Sequence, residues 1–142
     1  MSRIRLNFDD RVFTYETLIR VWATDITVGA QASPEAMVTM LSEARARYLN
    51  AQGIMEVESD FDGILITDLA TEFVSRALAH QELIFEVGLS GKNKYGGDIV
   101  IRVTRREDGS DVMRAKFGFV CYNFYTNQVI PVTEKINKLF HE

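Results

Sequence analysis

The sequence predicts an α+β protein in which an antiparallel sheet of about five strands wraps around one long helix. Three observations predict this fold class. A single long stretch of the chain shows helical periodicity, whereas several stretches are rich in β-branched and aromatic residues. One of these stretches precedes the helix. The others follow it and are joined mostly by short turns, which favour antiparallel pairing.

The first predicted strand covers residues 12–22, VFTYETLIRVW, in which β-branched and aromatic residues are frequent. A loop at residues 23–32 follows it. Ser33 then offers a side-chain oxygen for an N-cap, and Pro34 suits the first helical position because no N–H is needed there. These signals predict a helix at residues 34–51.

An apolar stripe identifies the side of this helix that faces the sheet. Its members recur at intervals of three and four positions: Met37, Met40, Leu41, Ala44 and Tyr48. Gly53 follows the pattern, as glycine commonly does just beyond a helix. We interpret the stripe as core that packs against the concave face of the sheet.

The later strands are predicted at residues 64–78, 82–89, 98–105 and 111–125. Asp108-Gly109 is a strong hairpin signal between the last two strands. The segment GKNKYGG, residues 91–97, predicts another turn. Residues 133–141, which follow Pro131, predict a short terminal helix.

Length and composition limit the classes of protein. A chain of 142 residues, 46% hydrophobic and 25% charged, predicts one globular domain at residues 1–142. The net charge of −4 and the pI near 5.2 argue against a nucleic-acid partner. Cys121 is the only cysteine, so no internal disulfide can form. Two histidines and one cysteine cannot supply a zinc site built from nitrogen and sulfur ligands, so no metal is expected.

The chain also lacks the usual signals for export or membrane insertion. Its first residues, MSRIRLNFDD, are charged and contain no apolar run, so they do not predict a signal peptide. No stretch approaches the ~18 apolar residues of a membrane span. We therefore expect a soluble, cytoplasmic protein without a membrane partner.

Four segments, in order, resemble those of a known family: IRVWATD, MLSEARARYLNAQG, ILITDLATEFVSRALAHQEL and FVCYNFYTNQVIPV. Over residues 11–140 they are similar to hot-dog fold thioesterases, and most of all to the 4-hydroxybenzoyl-CoA thioesterase-like family of small acyl-CoA hydrolases. The resemblance implies a hot-dog fold and hydrolysis of an acyl thioester. Coenzyme A would enter as part of the substrate, and no separate cofactor is implied.

The resemblance places the active site in the loop that leads to the helix, DITVGAQASPE, residues 25–35. Family members usually carry an aspartate and a glycine there, often followed by a histidine and asparagines. Gly29 matches the glycine, but the histidine and asparagines are missing. An ungapped match anchored on EARARYL puts Thr27 at the position of the aspartate, and Asp25 takes that position if the loop is slightly longer.

Thioester hydrolysis needs a polarised carbonyl and a base or nucleophile. The first amides of a helix lack partners and favour developing negative charge, so Glu35 and Ala36 are candidate donors to the substrate carbonyl. A nearby carboxylate would act as the base or nucleophile. We favour Asp25, with Glu35 as the second candidate. Each residue also has a non-catalytic interpretation. Asp25 could stabilise the loop by hydrogen bonding, and Glu35 could be a first-turn acid that complements the helix dipole.

Another branch of hot-dog enzymes carries its carboxylate on the helix itself, which adds Glu43 to Glu35 as a candidate of that kind. Glu43 can also pair with Arg47 four residues later on the same helix face. The phosphates of coenzyme A need cations, and Lys92 and Lys94 in the predicted turn are the first candidates. The next candidates are Arg102, Arg105 and Arg106. The two lysines could equally well be solvent-exposed residues of a hairpin turn without a role in binding.

Two classes of function remain open at this point. The first is a thioesterase that acts on acyl-CoA or on an acyl carrier thioester. The second is a non-catalytic hot-dog protein that binds an acyl thioester or assembles with a partner. One such sheet leaves an edge strand unpaired, so we expect a homodimer or a dimer of dimers with the cleft at the subunit interface.

Overall fold

The computed structural model describes residues 3–141 and confirms the predicted α+β fold class. The long helix α1 covers Pro34–Ala51, and a short helix α2 covers Glu134–Asn137. The six strands of one antiparallel sheet are β1 Phe13–Arg20, β2 Asp62–Phe73, β3 Glu82–Ser90, β4 Gly96–Arg105, β5 Asp111–Asn123 and β6 Gln128–Ile130.

Most differences between the predicted and observed elements have a local cause. The predicted strand 111–125 ends early because Asn123 Oδ1 accepts hydrogen bonds from the amides of Tyr125 and Thr126. This turn sends the chain back as β6, a strand that the prediction missed. The predicted terminal helix shortens to α2, capped by Thr133, because Phe140 forms a bridge with Leu89 of β3.

The strands are arranged in the order β1-β3-β4-β5-β2, and β6 pairs with the end of β5. β2 follows α1 in the chain but pairs with β5, so it lies at the far edge of the sheet from β1. Among the described residues no strand pairs with the outer side of β2. Residues 56–58 cover the start of this outer side through a bridge between Val57 and Gly63 and through hydrogen bonds to Asp62 and Ile64. The rest of the 12-residue strand carries a free hydrogen-bonding edge within the described chain.

The core lies between α1 and the inner face of the sheet. Every member of the predicted apolar stripe is buried, and Leu41, Ala44 and Tyr48 are fully so. α1 lies over β1 and β3 rather than over β2. The inner-face side chains Leu69 and Phe73 of β2 consequently remain 37% and 45% exposed.

Residues 3–9 cross the outer face of the sheet. The amide of Leu6 donates a 3.0 Å hydrogen bond to Oε1 of Glu72, the one charged residue in the described chain that is buried. Arg114 of β5 donates to the carbonyl of Leu6. The first bond gives the buried carboxylate, which lies on β2 immediately before Phe73, a hydrogen-bond donor. Together the two bonds attach the N-terminal segment to the sheet.

No helix in the described part of the chain is both long and apolar enough to cross a membrane.

Candidate active site

The loop before α1 forms a narrow projection with a fixed base. A bridge between Ile26 and Ala32 closes the base, and the amide of Thr27 donates a 2.9 Å hydrogen bond to the carbonyl of Gln31. Gly29 sits at the tip with a φ of 96°, a left-handed conformation that favours glycine. The predicted site residues Thr27 and Gly29 are thus both exposed on this projection.

The start of α1 follows the predicted pattern. The Ser33 hydroxyl oxygen caps the helix by accepting a 3.0 Å hydrogen bond from the amide of Ala36, and the amide of Met37 donates to the Ser33 carbonyl. Pro34 has no N–H to donate. Within the described chain the amide of Glu35 makes no hydrogen bond, so it is the one first-turn donor that is already available to a substrate oxygen.

Asp25 lies directly beside the start of the helix. Its carbonyl accepts a 2.9 Å hydrogen bond from the amide of Ser33. Its carboxylate Oδ2 accepts a 2.8 Å hydrogen bond from the amide of Trp22 and thereby braces a short 3-10 turn, Ala23–Asp25. The side chain is half-buried, and Oδ1 has no partner among the described residues. One carboxylate oxygen therefore holds the loop, and the other is left for chemistry.

The two helix carboxylates differ in their surroundings. The side chain of Glu35 is exposed in the first turn of α1 and makes no ion pair within the described chain. Glu43 accepts a 2.7 Å bond from Arg47, as the four-residue spacing predicts. Arg47 also donates to Thr17 and to the Leu18 carbonyl, both on β1. Glu43 is thus engaged on the β1 side of the helix, away from β2.

A cleft of about 350 Å³ opens between the start of α1 and the segment that leaves β2. Ala32, Pro34 and Met37 form its helix side. Its other wall includes Phe73, Val74 and Ala77, and its polar groups are Gln31, Ser75 and Arg76. Asp25 and Glu35 do not line this cleft. Glu35 follows Pro34, which lines the cleft, and Asp25 is hydrogen-bonded to Ser33, the residue that caps the helix. The cleft is therefore an apolar chamber that opens next to both candidate carboxylates.

Lys92 and Lys94 are far from this cleft within one chain. They lie in the turn between β3 and β4, and the Lys94 carbonyl accepts a hydrogen bond from the amide of Val132. α1 begins at the opposite end of β3, which has nine residues and is therefore about 26 Å long. Contact between these lysines and a ligand in the cleft would require a second copy of the chain.

The predicted alternative cations have different positions. Arg102 is on the outer face, paired with Glu86 at 3.0 Å and with Asp10. Arg105 and Arg106 are at the same end of the sheet as the cleft. Arg105 donates to the carbonyl of Arg76, and Arg106 pairs with Glu82 at 3.2 Å.

Two buried groups are unsuited to direct chemistry. Burial raises the pKa of the Cys121 thiol, so this side chain is a poor nucleophile in its place in the core. Burial also raises the pKa of Tyr48 to about 12. The described chain contains no group of three or more His, Cys, Asp or Glu side chains that could hold a metal ion.

The sequence did not predict the part of the site that comes from β2. Phe73, Ser75 and Arg76 reach the start of α1 only because β2 pairs with β5 and the chain then turns. Val74 and Ser75 both donate to the carbonyl of Val112, which ends the strand well before the predicted residue 78. A long-range pairing of this kind leaves no local signal in the sequence.

An antiparallel sheet wrapped on one central helix, with a cleft at the start of that helix, defines the hot-dog class of proteins. Residues 21–140 match the family model of the Thioesterase-like superfamily. The chain belongs to this superfamily. No curated protein sequence matches the chain significantly.

Solved structures of thioesterases share the fold. A 1,4-dihydroxy-2-naphthoyl-CoA thioesterase from Synechocystis is 12% identical, with a TM-score of 0.79 over 88% of this chain and 93% of the other. A gentisyl-coenzyme A thioesterase is 15% identical, with a TM-score of 0.76 over 89% and 100%. The 12:0-ACP thioesterase from Umbellularia californica is 12% identical, with a TM-score of 0.80 over 90% of this chain and 51% of that one. At these identities the likeness is one of fold.

Proposed function

We propose that this protein hydrolyses an acyl thioester, with acyl-CoA as the first substrate class to test, in the cleft at the start of α1. The observation that carries the proposal is the cleft itself. Its walls are largely apolar, as an acyl group requires, and it opens where a free helix amide and two carboxylates lie close together. Membership of the Thioesterase-like superfamily supports the same reaction class.

The reaction assigns a separate role to each group at the helix start. The amide of Glu35 donates to the thioester oxygen as negative charge develops on it, and the helix dipole adds to this effect. The amide of Ala36 joins it when the substrate oxygen replaces the Ser33 hydroxyl as acceptor. Asp25 takes a proton from a water molecule, the resulting hydroxide adds to the carbonyl carbon, and the C–S bond breaks. The thiolate then leaves and recovers a proton.

Asp25 is the preferred base because of its place and its free oxygen. It is half-buried and bonded to the N-cap residue Ser33, whereas Glu35 points into solvent. Thr27 is on the exposed projection and lacks a base within hydrogen-bonding distance, so it is suited to orienting the substrate rather than attacking it. Gly29 at the tip has no side chain and keeps the projection itself small.

A homodimer is part of the proposal because β2 offers a free edge. Antiparallel pairing of β2 with its own copy about a two-fold axis sets the start of one β2 beside the end of the other. Exposed apolar side chains occur at both ends: Met55, Val57 and Phe61 before the strand, and Phe73 and Val74 at its close. Pairing would bring these groups together and cover them, and a dimer of dimers would preserve the arrangement.

The same pairing gives Lys92 and Lys94 a role. These lysines lie at the end of the sheet where β2 begins, so in the paired copy they are at the same end as the first copy's cleft. The proposed role is to bind the phosphates of coenzyme A that protrude from the cleft of the other subunit. An acyl carrier protein, whose prosthetic group has the same phosphate-containing arm, is the second candidate for the thiol carrier.

A non-catalytic binding protein is the alternative function, and one observation favours it. Asp25 already uses Oδ2 to brace the 3-10 turn through Trp22, and no carboxylate lines the cleft. Release of free thiol from a panel of acyl-CoAs of different chain length distinguishes the two functions. Turnover with any member supports the enzyme. Binding of a hydrolysis-resistant thioether analogue without turnover of any thioester supports the binding protein.

A further inference from the structure

We infer that Arg76 binds an anionic group of the ligand at the mouth of the cleft. The inference rests on the proposed function only in assuming that the cleft holds a thioester. It assigns Arg76 to substrate recognition and does not give it a part in the bond-breaking step. The anionic group has one of two origins, the phosphate of the thiol carrier or an acidic substituent on the acyl group.

The backbone around Arg76 is held on both sides. The amides of Val74 and Ser75 donate to the Val112 carbonyl at 2.9 and 3.2 Å. The carbonyl of Arg76 accepts a hydrogen bond from the guanidinium of Arg105. The next carbonyl, of Ala77, accepts a 2.7 Å bond from the amide of Ala32. The base of the Arg76 side chain is therefore fixed relative to the start of α1, on elements that line the cleft.

The guanidinium itself has almost no partner. Its hydrogen bond within the described chain runs from Nη1 to the Gly29 carbonyl at 3.5 Å, longer than a good N–H···O bond. No carboxylate in the described chain lies within 4.0 Å of it. Five other arginines do have carboxylate partners at 2.5–3.2 Å: Arg11, Arg47, Arg102, Arg106 and Arg114. Arg76 thus presents an unused fork of N–H donors beside an apolar chamber.

The chemistry of arginine selects the kind of ligand group. A planar guanidinium forms paired hydrogen bonds with a carboxylate or a phosphate, and these charge-assisted bonds are about twice as strong as neutral ones. Because Arg76 is exposed, such a pair stays in contact with solvent, and its strength should fall as the salt concentration rises. The space beside Gly29, whose carbonyl lies nearest the guanidinium, is open, because no atom outside its chain neighbours lies within 4 Å of the position a Cβ would take.

Binding of three hydrolysis-resistant thioethers tests the inference without need of turnover. The first is an uncharged acyl group on coenzyme A, the second the same acyl group on N-acetylcysteamine, and the third a dicarboxylic acyl group on N-acetylcysteamine. Dissociation constants are measured by calorimetry for the wild type, Arg76→Ala, Arg76→Lys and Arg20→Ala. Arg20 is the matched control, because it is exposed on β1, makes no ion pair in the described chain and does not line the cleft.

Two of these ligands are anionic, the coenzyme A thioether and the dicarboxylic thioether. We expect Arg76→Ala to raise the dissociation constant of one of them at least tenfold. The dissociation constant of the uncharged N-acetylcysteamine thioether should stay within twofold of the wild type. Arg76→Lys should recover part of the loss, and Arg20→Ala should match the wild type. A loss confined to the coenzyme A ligand assigns Arg76 to the carrier phosphate, and a loss confined to the dicarboxylic ligand assigns it to the acyl group. Unchanged binding of both anionic ligands, or an equal loss for all three, overturns the inference.

The same experiment separates this inference from the proposed function. A wild type that binds the thioethers but cleaves no thioester disproves the enzyme, and the effect of Arg76→Ala on binding still decides the role of Arg76. A wild type that binds none of the three ligands overturns both proposals. Circular dichroism and thermal melting of each variant establish that a loss of binding is not a loss of fold.

Discussion

The carbonyl of Asp25 accepts a 2.9 Å hydrogen bond from the amide of Ser33, the residue that caps α1. This bond connects the favoured carboxylate directly to the helix start, even though seven residues separate the two along the chain. The intervening residues fold away into a projection closed by the Ile26–Ala32 bridge. A carboxylate and a helix N-terminus, the two parts that thioester hydrolysis needs, are thus brought together by the local fold of one loop.

Assembly through β2 is the first prediction. The wild type should have a mass twice the 16.2 kDa of the chain by light scattering at micromolar concentration, or a larger even multiple. Leu69→Asp should lower the mass, because it places a charge on the exposed inner face of the edge strand. Leu18→Asp is the matched control on β1, the opposite edge, where the exposure is similar. A monomeric wild type would contradict the proposed pairing.

Phosphate binding by the β3–β4 turn is the second prediction. Replacement of Lys92 and Lys94 together by alanine should raise KM for an acyl-CoA several-fold and leave kcat nearly unchanged, the pattern of lost uniform binding. The wild-type KM should also rise with salt, because the Debye length is only about 8 Å at physiological ionic strength. Lys116→Ala, on the outer face of β5, is the control.

An unchanged KM in the double variant would move the phosphate site elsewhere. Arg76 would then be the first candidate, followed by Arg105 and Arg106, because all three lie at the cleft end of the sheet. Arg102 would not, because Glu86 and Asp10 on the outer face already occupy its guanidinium.

The cap of α1 is the third prediction. Ser33→Ala removes the acceptor for the Ala36 amide and should destabilise the protein by about 1 kcal/mol. For a chain of this size that corresponds to a fall in Tm of about 3 °C. Activity below Tm should persist, since the freed amide remains a donor for the substrate oxygen. Ser42→Ala, in the middle of α1, should not lower Tm, because alanine favours a helix interior. Equal melting of Ser33→Ala and the wild type would show that the cap is not stabilising.

Local signals in the sequence are sufficient for α1 and insufficient for the sheet order. Ser33, Pro34 and Gly53 mark the ends of α1, and the helix forms over the predicted residues 34–51. Each of those signals acts within a few positions of the chain. The position of β2 at the sheet edge depends on its pairing with β5, about 50 residues later, which no local pattern encodes.

The same distinction applies to the site. The loop that carries Asp25, Thr27 and Gly29 can be recognised in the sequence as a candidate site because its residues are close together in the chain. Arg76 cannot be recognised in this way, because it lies 47 positions from Gly29 and reaches the Gly29 carbonyl only through the pairing of β2. The brace between Asp25 and Trp22 is local, yet it depends on a single 3-10 turn that the sequence pattern does not predict.

Asp25 is proposed as the working carboxylate, and the single substitution Asp25→Asn distinguishes this role from a purely structural one. Asparagine retains an oxygen to accept from the Trp22 amide, so circular dichroism should show an intact fold. We predict that kcat falls by about 10²–10⁴, the usual cost of losing a general base, and that Glu35→Gln, the matched control, falls less. An active Asp25→Asn beside an inactive Glu35→Gln would transfer the role to the helix carboxylate. If kcat of both variants stays within about twofold of the wild type, well short of the loss expected for a missing base, neither carboxylate is the base, and the binding protein is favoured.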